Sequence, residues 1–238
     1  MCILTVVPIT GALIITSNRD EQRTRANSVI PSIEKISERE TIIARDRKAN
    51  GTWILTDDRG RTAVLLNGAF ERHTPMPPYR ESRGITLINL FEEEDLKKAF
   101  QLYNLNNIEP FQIIVIDKSE GFHLLWDGNE KHAIPIDLNK PHVFFSSTLY
   151  NKQQQEVKRN HFLNAYKDLN ECNAKWIFNF HSIQTALSSK TDFFMNRNLH
   201  VTKSITQIEI NSNISFYKHL QTWDNQLYEH SLKHVSFI

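Results

Sequence analysis

Cysteine is scarce in this sequence: Cys2 and Cys172 are the only two among 238 residues. They allow one bridge at most, which is no disulfide framework of the kind small secreted domains use. Glycine is also sparse, at seven residues, so each one is expected to mark a turn. No Gly-rich phosphate loop occurs. No apolar run approaches the ~18 residues a membrane-spanning helix needs, so membrane insertion is not expected. The first residues lack a basic segment and reach Asn18-Arg19-Asp20 too early for a signal peptide. A charge bias is missing too: 28 Lys plus Arg stand against 27 Asp plus Glu, a net charge of +1. That balance, with basic residues dispersed and not interleaved with aromatics, argues against nucleic acid as a partner. These absences together point to a reducing cytoplasm.

The remaining composition is ordinary: 40% hydrophobic and 23% charged, which excludes disorder. The length suits one large domain or two small ones, and a sizeable core needs no metal or disulfide staple. No repeat or long linker interrupts the chain. The apolar runs 3–7 and 12–16 flank Pro8-Ile9-Thr10-Gly11 and predict a β-hairpin. A second hairpin is predicted from 52–56 and 62–66 around Asp57-Asp58-Arg59-Gly60. Residues 85–103 carry helical spacing, interrupted around 92–95. Short strands are expected at 112–117, 122–126, 131–136 and 143–146, helices at 153–169 and 174–187, and a closing hairpin from 201–210 and 214–217. Strands first, helices in the middle, then strands again suit an α+β fold of antiparallel sheet layers with packed helices.

A four-residue loop at 8–11 sets Val7 opposite Ala12 and Cys2 opposite Ser17. Asn18, Arg19, Asp20 and Glu21 then emerge beside residue 2. Methionine aminopeptidase accepts a small second residue, cysteine included. Loss of Met1 would give Cys2 both a thiol and a free α-amine, whose pKa of ~7.7–8 leaves part of it neutral near pH 7. Such an amine takes the thiol proton without a histidine. Arg19 beside it favours the thiolate and can hold a substrate anion or carbonyl, and Asp20 can orient the ammonium form. The plainer reading makes Cys2 a small core residue and Arg19–Asp20 a structural ion pair. In the second hairpin a symmetric turn sets Asn67 opposite about Asn50 and Gly51. Its amide, next to Gly68 where backbone can approach a ligand, suits an oxyanion donor; the alternative is an ordinary turn asparagine.

These residues carry a resemblance. Met1-Cys2 with Ser17-Asn18-Arg19-Asp20-Glu21 resembles the NRDE family, also called the transport and Golgi organisation family. The likeness continues through Arg45-Asp46, Lys48-Ala49-Asn50-Gly51-Thr52-Trp53-Ile54, Gly60, Ala63-Val64-Leu65-Leu66-Asn67 and Ser82-Arg83-Gly84, about the first 90 residues in order. Looser matches follow at Phe145-Ser146-Ser147-Thr148 and Thr202-Lys203-Ser204-Ile205-Thr206. The resemblance implies a single domain over 1–238 with an N-terminal-nucleophile (Ntn) hydrolase-like fold, a four-layer αββα sandwich of two antiparallel sheets. Related bile salt and penicillin V acylases cleave linear amides. By that comparison Cys2 is nucleophile and, through its amine, base. Arg19 and Asp20 match the arginine and aspartate after the first hairpin, and Asn67 an oxyanion donor. Asn18, Glu21, Ser147 and Lys203 fall at substrate-binding positions, with Glu21 competing with Asp20 for one role, Ser147 standing for a second amide donor and Lys203 for a late arginine.

Two functions follow as expectations. One is a cysteine amidase cleaving the C–N bond of a small non-peptide substrate, with no cofactor. The other is a non-catalytic carrier of haem or lipid on the same fold, since fold alone does not fix function. Elsewhere, His230 and His234 are four apart and could share a helix face, but with no third ligand indicated they read as surface histidines; Cys172 reads as an incidental thiol, and Trp53, Trp126 and Trp176 read as core. Glu92-Glu93-Glu94-Asp95 reads as a solvated helix start or break. Nothing in the sequence speaks to oligomeric state.

Overall fold

The computed structural model describes residues 2–169, 171–184 and 190–235, with the backbone alone for Cys2. Met1, the Cys2 thiol and the 185–189 end of the helix expected at 174–187 lie outside the described residues.

The chain opens on the predicted hairpin, β1 (Cys2–Ile9) and β2 (Ala12–Gln22). The turn is tighter than a four-residue loop. Gly11 takes a φ of 77°, which glycine adopts at no steric cost, so Ile9 already pairs with Ala12. Register therefore slips by two residues and Cys2 pairs with Arg19, not Ser17. An even slip leaves every side chain on its expected face.

Five further strands and two helices follow: β3 (Ser32–Ile36), β4 (Arg39–Arg45), β5 (Thr52–Asp57), β6 (Thr62–Asn67), α1 (Arg83–Glu92), α2 (Leu96–Leu102) and β7 (Phe111–Asp117). The predicted helical stretch is thus two helices. Ser82 caps α1, Glu93 ends it, and the Asp95 side chain accepts the Lys98 N–H to start α2. Then come β8 (Glu120–Trp126), β9 (Lys131–Ile136), β10 (His142–Phe145), α3 (Lys152–Lys167), α4 (Ala174–Ser182), β11 (His200–Ile210), β12 (Ile214–Gln221) and β13 (Gln226–Lys233). Asn151 opens α3 with a capping box completed by Gln154. His230 and His234 share no helix face. His230 is on β13 opposite Tyr217, and His234 shares a hydrogen bond with Ser215 Oγ at 2.8 Å. The alternation of Gln226–Lys233 is that of a strand with one face half-buried.

All pairings are antiparallel. One sheet runs β10-β1-β2-β11-β12-β13, the other β3-β4-β5-β6-β7-β8-β9. Alternation along β1 shows the layering. Leu4 and Val6 pack into the core between the sheets, beside Ile54, Val64 and Ile114 of the second sheet. Ile3 and Val7 face the other way, into an aromatic core with Phe162 of α3 and Ile177 of α4. Helices α1 and α2 cover the outer face of the second sheet. The result is an α+β, four-layer αββα sandwich. Each fully buried Leu, Ile or Phe in these layers contributes about 1.5–3 kcal/mol. No helix among the described residues is long and apolar enough to cross a membrane.

Candidate active site

The end of β2 carries four polar residues that alternation divides between two layers. Arg19 and Glu21 face a cavity of about 700 Å³ at one end of the sandwich. Asn18 and Asp20 face the α3–α4 side. Asn18 is buried there: its amide donates to the carbonyls of His181 and Phe193 at 3.0 and 3.2 Å, and its oxygen meets His181 Nδ1 at 2.7 Å. Burial takes the His181 pKa down to about 3, so the ring is neutral and the trio is a structural knot.

Asp20 is fully buried. The Thr202 hydroxyl donates to one carboxyl oxygen at 2.6 Å and the Tyr150 hydroxyl to the other at 2.8 Å. Burial dominates over these bonds and raises its pKa to about 6. Lys158 is pulled the opposite way, to about 8, by its own burial and the Arg197 charge.

Arg19 is 2% exposed. One arm of its guanidinium donates to Asp46 at 2.6 Å, and the plane lies 4.7 Å from the centre of the Trp53 ring. The other arm, Nη1, is buried with no hydrogen-bond partner among the described residues, as is the Trp53 Nε1. Asp46 anchors the group. It accepts from Arg25 through both oxygens at 2.9 and 2.8 Å and from the backbone N–H groups of Lys48 and Ala49. Burial pushes the Asp46 carboxyl up, but the Arg25 and Ala49 bonds and the Arg25 and Arg19 charges outweigh it and leave the pKa at about 2. Arg19 continues into a polar cross-strand row, Arg19–Ser204–Gln221, and beside it runs Ser17–Thr206–His219. Trp53 meets His219 at 6.2 Å, so the core between the sheets turns polar toward the cavity.

Asn67 ends β6 and lines the same cavity. Its backbone N–H donates to Ser146 Oγ at 3.2 Å, and its side-chain amide has no partner among the described residues. Gly68 follows at a φ of 76°, but the space a side chain would fill there is occupied by Ser147 and Thr148. Ser147 donates its hydroxyl to the Glu71 carbonyl at 2.9 Å and does not line the cavity. Its neighbour Thr148 does, and the Thr148 Oγ1 is buried without a partner among the described residues. Lys203 sits at the bulge of β11. Its Nζ donates to the Arg23 carbonyl at 3.0 Å, outside this cavity.

The structure thus brings Arg19, Glu21 and Asn67 together, sets Asp20 behind them, and turns Asn18, Ser147 and Lys203 elsewhere. The Cys2 backbone pairs with Arg19. Sequence reasoning passed over Asp46, Trp53, Arg25, Thr148 and Arg197 as site residues. Asp46 and Trp53 stood inside the quoted motifs without a role. Arg25 and Arg197 carry no local signal.

A sequence model of the Transport and Golgi organisation 2 family matches residues 1–227. The chain belongs to this family. Among curated proteins, none matches the sequence. Solved structures share the fold. The Caenorhabditis elegans ortholog of N-acylethanolamine-hydrolyzing acid amidase superposes with a TM-score of 0.62 at 14% identity, over 87% of this chain and 92% of that one. A cysteine-to-alanine mutant of the conjugated bile acid hydrolase from Clostridium perfringens gives 0.56 at 10% identity, over 100% and 97%. An arginine-to-leucine variant of that hydrolase gives 0.54 at 9%, over 99% and 97%. At these identities the likeness is one of fold: this family member has the Ntn-hydrolase sandwich.

Proposed function

We propose that this protein is an N-terminal-cysteine amidohydrolase that cleaves the C–N bond of a small non-peptide amide. The observation that carries the reading is the β1–β2 register: Cys2 pairs with Arg19, and Arg19 is a buried cation with one unpartnered arm on the wall of a cavity that Asn67 also lines.

The reaction requires removal of Met1. The α-amine of Cys2 then takes the thiol proton, and the sulfur attacks the amide carbon. Negative charge develops on the carbonyl oxygen. The Asn67 amide and the Thr148 hydroxyl are the donors available for it, both without other partners among the described residues; Ser147 has its proton on the Glu71 carbonyl. Collapse breaks the C–N bond, and the leaving amine departs with the proton held by the Cys2 ammonium. Water, deprotonated by the same amine, hydrolyses the thioester and releases the acid. Arg19 favours the thiolate through its charge. Asp20, ionised above about pH 6, orients the ammonium form.

A haem or lipid carrier calls for an apolar cleft. Five arginines and three carboxylates line this cavity, which supports the hydrolase reading. The test is turnover of small amides by the full chain. Cys2→Ala is expected to abolish it, and Asn67→Ala to lower kcat by about 100-fold or more with KM little changed. Turnover that survives Cys2→Ala contradicts the proposal. So does a rise in melting temperature with haem or acyl lipid in a protein that hydrolyses no amide.

A further inference from the structure

The carboxylates lining the cavity all face basic partners. Asp46 holds Arg19 and Arg25. Glu109 accepts from Arg83 at 2.9 Å and meets His73 Nε2 at 3.0 Å. Glu21 lies 3.9 Å from both Arg19 and Arg25. Two lining arginines remain, Arg72 and Arg197, and among the described residues neither has a carboxylate within ion-pair distance. Arg72 follows β6 and is exposed. Arg197 precedes β11, half-buried, with its guanidinium 5.7 Å from the Tyr150 ring.

Two guanidinium groups that line one cavity without a carboxylate in reach make its potential positive and favour an anion there. Two further atoms ask for the same kind of partner. Arg19 Nη1 and Trp53 Nε1 are buried and unpartnered among the described residues, and both are donors that cannot accept. A carboxylate supplies acceptors to a guanidinium fork in matched geometry. Apolar side chains on the wall are few, chiefly Trp53, Leu65, Pro75 and Leu149, so little surface is available to bury a long acyl chain.

We propose that the substrate is a short amide carrying a carboxylate, and that Arg72 and Arg197 select it by binding that carboxylate. This rests on the hydrolase reading for the word substrate, but the recognition is testable without turnover. The full chain with Cys2→Ala is titrated calorimetrically with N-acetylglycine, with its uncharged counterpart N-acetylglycinamide, and with octanamide. N-acetylglycine is expected to bind roughly tenfold more tightly than N-acetylglycinamide. Arg72→Gln with Arg197→Gln is expected to bring the two affinities together, while the paired lysine substitutions keep part of the preference. Equal affinities in the unsubstituted cavity overturn the proposal, as do tighter binding of octanamide, no binding of N-acetylglycine at millimolar concentration, or displacement of it by equimolar inorganic phosphate. Hydrolysis of the same probes by the chain with Cys2 in place is read separately and bears on the hydrolase reading alone.

Discussion

Asp46 decides the posture of Arg19. It is 8% exposed, and its two oxygens answer two arginines and two backbone N–H groups. Asp46→Ala leaves the buried Arg19 with Glu21, 3.9 Å away, as its nearest carboxylate, so a loss of about 3 kcal/mol is expected in urea unfolding at pH 7. Lowering the pH does the same more gently. The Asp46 pKa is depressed when folded, so its stabilisation is complete above the ordinary carboxylate value and disappears as pH falls toward about 2. Asp20 has the opposite sign. Its folded pKa of about 6 lies above the ordinary value, so the folded state binds the extra proton and stability falls as pH rises from about 4 to about 6. Asp20→Asn is expected to flatten that part of the stability-versus-pH curve; an unchanged slope contradicts the burial argument. At this scale Arg19 was legible because three charged residues in a row beside a chain-start cysteine are unusual. Trp53 was not, because a tryptophan on a strand reads as core whether its face meets another sheet or a cavity.

The elements that aim these residues meet at two glycines. A Cβ on Gly51 would lie 2.6 Å from the Gly84 carbonyl carbon, and one on Gly84 would lie 2.8 Å from both the N and the O of Thr52. The start of α1 therefore touches the start of β5 backbone to backbone. Gly84→Ala forces the two apart. A fall in melting temperature of roughly 5 °C is expected, from about 2 kcal/mol of overpacking in a chain of this size. The turns explain what could be read in advance. Gly11 and Gly60 announced two hairpins, although the second pairs Thr56 with Thr62, one residue off the symmetric register. The β3–β4 hairpin gave no warning. Its turn residues Ser37 and Glu38 both take positive φ, 45° and 64°, conformations that Gly or Asn ordinarily signals. The β13 strand was hidden because exposed polar residues dominate it.

Across the molecule, the first sheet joins distant parts of the chain: β1 and β2 from its start, β10 from the middle and β11 to β13 from its end. Such a sheet cannot form by halves. We therefore expect residues 1–238 to unfold as one cooperative unit, with equal calorimetric and van't Hoff enthalpies; two resolved transitions contradict this. The layered fold was legible because ordered motifs fixed the family resemblance, and because β1 alternates cleanly between two apolar faces. The cavity was not legible. It is assembled from β2, β5, β6, the start of α1, the segment before β11 and the loops that carry Asp46, Arg72, Glu109 and Thr148, and no local pattern reports a wall shared by so many segments. Hydrolysis by this architecture requires residue 2 to carry the acyl group. The most direct measurement is the intact mass of the cell-made chain before and after brief exposure to a small amide or activated acyl substrate, with peptide mapping of the start of the chain. The expected result is a chain lacking Met1 that gains one acyl group on Cys2, and no gain in Cys2→Ala. A chain that retains Met1, or an acyl group found elsewhere, contradicts it.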